Sequence, residues 1–148
     1  MLYNELLKKR NINKECPFCR AKDKMFKENE FAYLTYALAP YHPHHLLVIP
    51  RRHVGSFLQF SKKETTAIDE LLRYGVKLLN SLGYADLSVL VRDGVDNPNK
   101  TVEHLHYNLV PKTRIGDLDH KGNLRKVLTS AQIKKTIEDV KKTQKKIK

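Results

Sequence analysis

The sequence predicts an α+β fold: a mostly antiparallel sheet with a long helix packed on one face, plus a C-terminal helical extension. Three observations lead there. Short apolar or alternating runs recur at 31–36, 45–49, 87–92 and 104–110. One strongly periodic helical pattern, 62–82, sits between the second and third of them. A second helical pattern closes the chain. Strands, one long helix, strands and a final helix suit an antiparallel sheet with helices gathered on one face.

Taken in order, residues 2–9 form a short helix ahead of the Cys16-Pro17-Phe18-Cys19 turn. FAYLTY (31–36) is rich in aromatic and β-branched residues, which suits a strand. HLLVI (45–49), closed by Pro50, reads as a more deeply buried one. From 62 to 82, Ile68, Leu71, Leu72, Gly75, Leu78, Leu79 and Leu82 recur at helical spacing. Ser61 and Glu64 supply a capping box at its start, and Gly83 a stop at its end. LSVLVR (87–92) and HLHYNLV (104–110) are the last strands, joined by a turn-rich stretch through Gly94, Asn97 and Pro98. A helix at about 131–146 aligns Ile133, Ile137, Val140 and Ile147 on one narrow stripe.

The chain has 148 residues, enough to bury a core without staples, and 41% hydrophobic with 30% charged residues excludes a disordered or fibrous class. No stretch reaches the ~18 apolar residues of a spanning helix, and MLYNELLKKR lacks the apolar core of a signal peptide. The two cysteines cannot build a disulfide framework, so a reducing, cytoplasmic setting is the expectation. The net charge is +12. Residues 130–148 carry seven lysines against Glu138 and Asp139, a net of +5, which leaves +7 on the rest. So basic a chain attracts polyanions: nucleotides, polyphosphates or nucleic acid. A solvated lysine face is the alternative for the tail.

The segment Thr101-Val-Glu-His104-Leu-His106-Tyr-Asn108-Leu-Val-Pro111 carries the chemistry. On a strand, alternate side chains share a face. His104, His106 and Asn108 would then form a working face, and Leu105, Tyr107 and Leu109 a packed one. An ordinary amphipathic strand has the same pattern. Cys-x-x-Cys in an intracellular chain is mostly a metal site or a redox pair, and no strand precedes Cys16 as a redox pair of this type would need. Zinc takes four ligands, so two more must come from His42, His44, His45, His53, His104, His106 or His120, and spacing does not choose among them.

Three segments together resemble the histidine triad (HIT) superfamily of nucleotide hydrolases and transferases. They are Cys16-Pro-Phe-Cys19, then Pro43-His44-His45-Leu-Leu-Val-Ile-Pro50-Arg-Arg-His53, then His104-Leu-His106-Tyr-Asn108-Leu-Val-Pro111. The resemblance covers roughly residues 14–112. It implies a HIT-like domain over 1–112, including the N-terminal metal-binding segment, followed by a basic helical extension over 113–148. It implies that His106 is the nucleophile, attacking the α-phosphorus of a nucleotide ester, anhydride or phosphoramidate to form a covalent nucleotidyl-histidine. It also implies a structural zinc held by Cys16, Cys19, His53 and His104. The rival arrangement, one ion shared by His104 and His106, would consume the nucleophile. His45 matches a histidine that borders the phosphate site in the family, and a satisfied core histidine is its other reading. By the same resemblance the chain is a homodimer that pairs long helices and extends the sheet.

The chain departs from the family pattern at several positions. Asn108 stands where the third histidine is expected; an amide donates at any pH but is no acid, which favours transfer or good leaving groups. Asn99, Lys100 and Thr101 replace the usual Gly-Gln-Ser/Thr phosphate-binding run, and Lys100 suits a phosphate-rich leaving group or a nucleic-acid backbone. Ala37 falls on the ribose-binding position, and His44 replaces a glycine, crowding the same turn. Two functions follow as expectations: a nucleotidyl hydrolase or transferase, or a triad domain that binds nucleotides or RNA without catalysis.

Overall fold

The computed structural model describes residues 1–13, 16–19, 25–94, 102–113 and 126–147. Helix α1 (Tyr3–Asn13) leads to strands β1 (Lys27–Glu28), β2 (Ala32–Tyr36) and β3 (Leu46–Pro50). After a 3-10 turn at Phe57–Gln59 come α2 (Lys62–Ser81), β4 (Leu87–Val91), β5 (Tyr107–Pro111) and α3 (Ser130–Gln144). The five strands form one sheet in the order β1-β2-β3-β5-β4, every neighbouring pair antiparallel. The fold is α+β, as the element order implies.

The two faces of the sheet carry different work. On one, Ala32, Leu34, Leu46, Val48 and Leu109 pack against Ile68, Leu71, Leu78 and Leu79 of α2 and Val140 of α3. Gly75 lets α2 approach closely, because a Cβ there would run into the buried Leu109 side chain. On the other face, Tyr33, Ala37, Leu47 and Ile49 form a second cluster with Phe18 and Met25 against it. This face receives the cysteine turn.

Helix α2 starts at the expected capping box: Ser61 Oγ accepts the Glu64 N–H, and the Glu64 carboxylate accepts the Ser61 N–H at 3.0 Å. Glu64 also pairs with Arg52 at 2.9 Å, and Arg52 donates to the Gln59 carbonyl, so the segment after β3 is clamped to the helix start. Gly83, at φ +99°, follows α2 in the left-handed conformation that glycine adopts without strain. Helix α3 has a second capping box, Thr129 with Gln132. No described helix is long and apolar enough to cross a membrane.

Three expectations need correction. The last strand begins at Tyr107, not His104. The Leu105 N–H donates to the Val54 carbonyl at 2.8 Å, which pulls 104–106 onto the segment after β3 before pairing with Val48 and Val91 begins at Tyr107. Hence His104 and Leu105 are both buried instead of alternating. On α3 the fully buried line is Thr136, Val140 and Thr143, while Ile133 and Ile137 are half-exposed. The helix lies on α2 by that flank, and Gln144 ties its end to the Phe26 carbonyl and the Tyr74 hydroxyl. The polar pair Lys27–Glu28 is a strand that periodicity did not suggest. The Asn29 side chain accepts from the Phe31 and Ala32 amides, and this turn folds β1 back on β2.

Candidate functional site

Cys16 and Cys19 lie on a turn laid against the sheet, His53 just beyond β3 and His104 just before β5. Their ligand atoms all fall within 4.8 Å of one another. Cys16 Sγ lies 3.5 Å and Cys19 Sγ 3.4 Å from His104 Nδ1, and Cys19 Sγ lies 3.3 Å from His53 Nδ1. A tetrahedral ion bonded at ~2.3 Å to sulfur and ~2.0 Å to nitrogen sets these edges at about 3.5 Å. Three of the edges match that spacing and all lie within 4.8 Å, so the four residues could hold a metal ion. The His104 tautomer suits the role. Its Nε2–H donates to the Pro50 carbonyl at 2.6 Å, which leaves the lone pair on Nδ1, facing the thiols. His104 is fully buried, whereas Cys19 and His53 reach the surface.

His106 is outside this cluster. Its Nδ1–H donates to the His104 carbonyl at 2.9 Å, which puts the basic lone pair on Nε2. The Phe18 ring packs against it at 4.9 Å and meets His104 edge-on at 5.8 Å. Phe18 is in turn held by the Tyr33 hydroxyl, which donates to its carbonyl at 2.6 Å. Burial first, then the two cysteines, pushes the Tyr33 hydroxyl well above the usual phenol range, so it remains a donor. One turn thus positions both the metal ligands and the neighbouring imidazole.

Asn108 sits in β5 opposite Leu47 and Leu90. The buried His45 accepts the Tyr41 N–H at Nδ1, so its proton is on Nε2, which donates to Asn108 Oδ1 at 2.9 Å. The Asn108 amide donates onward to the Leu90 carbonyl at 3.2 Å. These bonds fix which end of the amide faces which neighbour. Beside β5, burial first, then the Asp93 charge, pushes the Tyr107 hydroxyl up to about 12. Ala37 is buried among Tyr33, Leu47 and Ile49. The His44 side chain turns away from Ala37, to Tyr84 and Asp139. Asn99, Lys100, Thr101 and His120 lie outside the described residues.

Sequence reasoning passed over Phe18 and the backbone partners. An aromatic between the cysteines was a readable signal. The carbonyls of Pro50, His104 and Leu90 and the Tyr41 amide carry no residue signature at all.

Residues 12–121 match the family model described as scavenger mRNA decapping enzyme C-terminal binding. A 16.1 kDa HIT-like protein from Mycoplasma pneumoniae is 32% identical over 120 residues, 77% of this chain and 82% of that protein. The chain is a HIT protein. Mouse adenosine 5'-monophosphoramidase HINT3 is 24% identical to this HIT protein over 107 residues, 68% of this chain and 65% of that one. The solved structure of a zinc-bound histidine triad family protein from Mycobacterium smegmatis superposes with a TM-score of 0.67 at 19% identity, covering 90% of this chain and 96% of that one.

Proposed function

We propose that this HIT protein is a nucleotidyl hydrolase or transferase acting at the α-phosphate of a nucleotide conjugate, such as a phosphoramidate or a dinucleoside polyphosphate. His106 is the nucleophile. The observation that carries the reading is the hydrogen bond from His106 Nδ1 to the His104 carbonyl, which in the neutral ring leaves Nε2 as the attacking lone pair. Nε2 forms a P–N bond to the α-phosphorus while the bond to the leaving group breaks. The electron pair departs with that group, which takes a proton from water. Water then attacks the same phosphorus, the P–N bond breaks and its pair returns to Nε2, while the proton goes to solvent. An acceptor hydroxyl in place of water gives transfer.

Asn108 gives its second N–H to a phosphoryl oxygen, with His45 holding the amide, and Asn99, Lys100 and Thr101 contribute to phosphate binding. Cys16, Cys19, His53 and His104 hold a structural zinc, which supplies a cross-link between the turn and two strand ends and leaves no open position for chemistry. Residues 1–112 form the catalytic unit and 113–148 the basic extension. We assign the chain to the cytoplasm, and its lysines allow a nucleic-acid partner. The β4 edge, with Val89 exposed, supports a homodimer that extends the sheet.

The relative acting on adenosine 5'-monophosphoramidate sets the first substrate to try. Incubation with a nucleotide conjugate labelled at the α-phosphate, followed by a quench, should leave acid-labile label on the protein and none on His106→Ala. A second reading, a binding module without catalysis, draws on the buried Ala37 and on the commitment of Asn108 to His45 and Leu90. Absence of label from every nucleotide tried, with tight and steeply salt-dependent nucleic-acid binding, selects that reading.

A further inference from the structure

His44 and His45 are consecutive, yet they serve opposite sides of the sheet. His45 turns to Asn108. His44 turns to the connection after α2 and to α3, with Nδ1 2.6 Å from the Tyr84 hydroxyl and Nε2 3.4 Å from an Asp139 carboxylate oxygen. A carboxylate only accepts, so Nε2 carries the His44 proton, and Nδ1 accepts from the Tyr84 O–H. The turn between them is tightly wound. The His44 N–H donates to His42 Nδ1 at 3.0 Å, the His45 N–H to the His42 carbonyl at 2.9 Å, and the Tyr41 N–H to His45 Nδ1 at 3.2 Å. His42 meets the Tyr84 ring edge-on at 5.0 Å, and Lys135 also pairs with Asp139 at 3.4 Å. Helix α3 itself is seated through Val140 in the main core.

We propose that His44 and Asp139 are positioning residues. They latch the 41–45 turn to α3, so that the Nε2–H of His45 stays on Asn108 and the amide keeps one orientation beside His106. The inference rests on the nucleotidyl reading for its purpose, and on geometry alone for the coupling. The latch is half-exposed, so breaking it shifts a population of turn conformations and leaves the fold in place.

The test uses the full chain with Asp139→Asn and His44→Gln, singly and together. NMR follows three signals: the Asn108 side-chain amide pair, the His45 ring N–H, and the Val140 methyls as a reporter of α3 docking. The expected result is displaced Asn108 and His45 signals in either single variant, no further displacement in the double variant, and unchanged Val140 methyls. The rate constant for labelling by adenosine 5'-monophosphoramidate should fall about fivefold or more with KM unchanged, the scale of a typical coupling between sites. Unmoved Asn108 and His45 signals overturn the latch, as do shifts that arise only when the Val140 methyls move too, since α3 then acts purely as structure. The NMR arm needs no nucleotide. A wild-type chain that never labels, alongside variants that show the shifts, therefore overturns the nucleotidyl reading and upholds the latch.

Discussion

The backbone carbonyl of His104 accepts the Nδ1–H of His106 at 2.9 Å, while the ring of the same His104 faces the thiols of Cys16 and Cys19 at 3.5 and 3.4 Å. One residue therefore belongs to two constellations, a ligand through its side chain and a tautomer lock through its main chain. Phe18, between the cysteines, meets the His104 ring edge-on and packs at a tilt against His106.

Metal removal should therefore reach His106. Elemental analysis should find about one zinc per chain, and Cys19→Ser should lose it. The loss of stability should lie well beyond the ~1 kcal/mol of an average substitution, measured by denaturant unfolding. Full zinc occupancy in Cys19→Ser contradicts the ligand set. Chelation should also lower the labelling rate, because the His104 carbonyl loses one of the contacts that hold it in place.

Replacing the nucleophile separates chemistry from folding. His106→Ala should abolish covalent labelling and reduce turnover about 10³-fold or more. Its unfolding midpoint should stay close to that of the wild type, since the ring is partly exposed and its hydrogen bond to the His104 carbonyl is worth about 1 kcal/mol. Retained labelling would move the attack to another residue.

Gly75→Ala tests the close approach of α2 to β5. Alanine gains about 1 kcal/mol of helix propensity over glycine, but its methyl meets the fully buried Leu109 side chain, and overpacking costs about 1–3 kcal/mol. The collision should win, so the variant should unfold at lower denaturant. A stabilised variant would mean that Leu109 can repack.

The start of α2 carries a pH signature. The hydrogen bond from Arg52, against burial, holds the Glu64 carboxyl below its ordinary value. A depressed folded value stabilises the protein above the ordinary carboxylate pKa, and that stabilisation disappears as pH falls through the lower folded value. The stability advantage of wild type over Glu64→Gln, which keeps the capping acceptor, should be full at neutral pH and shrink on acidification. Ser61→Ala should cost about 1 kcal/mol at any pH across this range. An advantage that grows on acidification refutes the pairing.

Much of the fold is legible in local pattern. Helix α2, with Ser61, Glu64 and Gly83 at its ends, and strands β2, β3 and β4 follow from periodicity and capping, because those signals lie within a few residues of each other. The strand at 27–28 was not legible, since two polar residues pair only because the Asn29 turn returns the chain to β2. The start of β5 was misplaced for a related reason. The Leu105 amide finds its acceptor at Val54, some fifty residues away, and no alternation of side chains reports that bond.

For the site, residue types and their order along the chain were enough to name the cysteines, the histidines and Asn108 as chemistry-bearing groups. Spacing alone did not choose which imidazoles meet the thiols, and the family resemblance named His53 and His104; neither told which nitrogen carries each proton, or that His44 and His45 part to opposite faces. Those are set by carbonyls and amides brought together from distant segments, and every residue has the same carbonyl. Side-chain identity is written in the chain, whereas hydrogen-bond direction comes into being when the sheet closes.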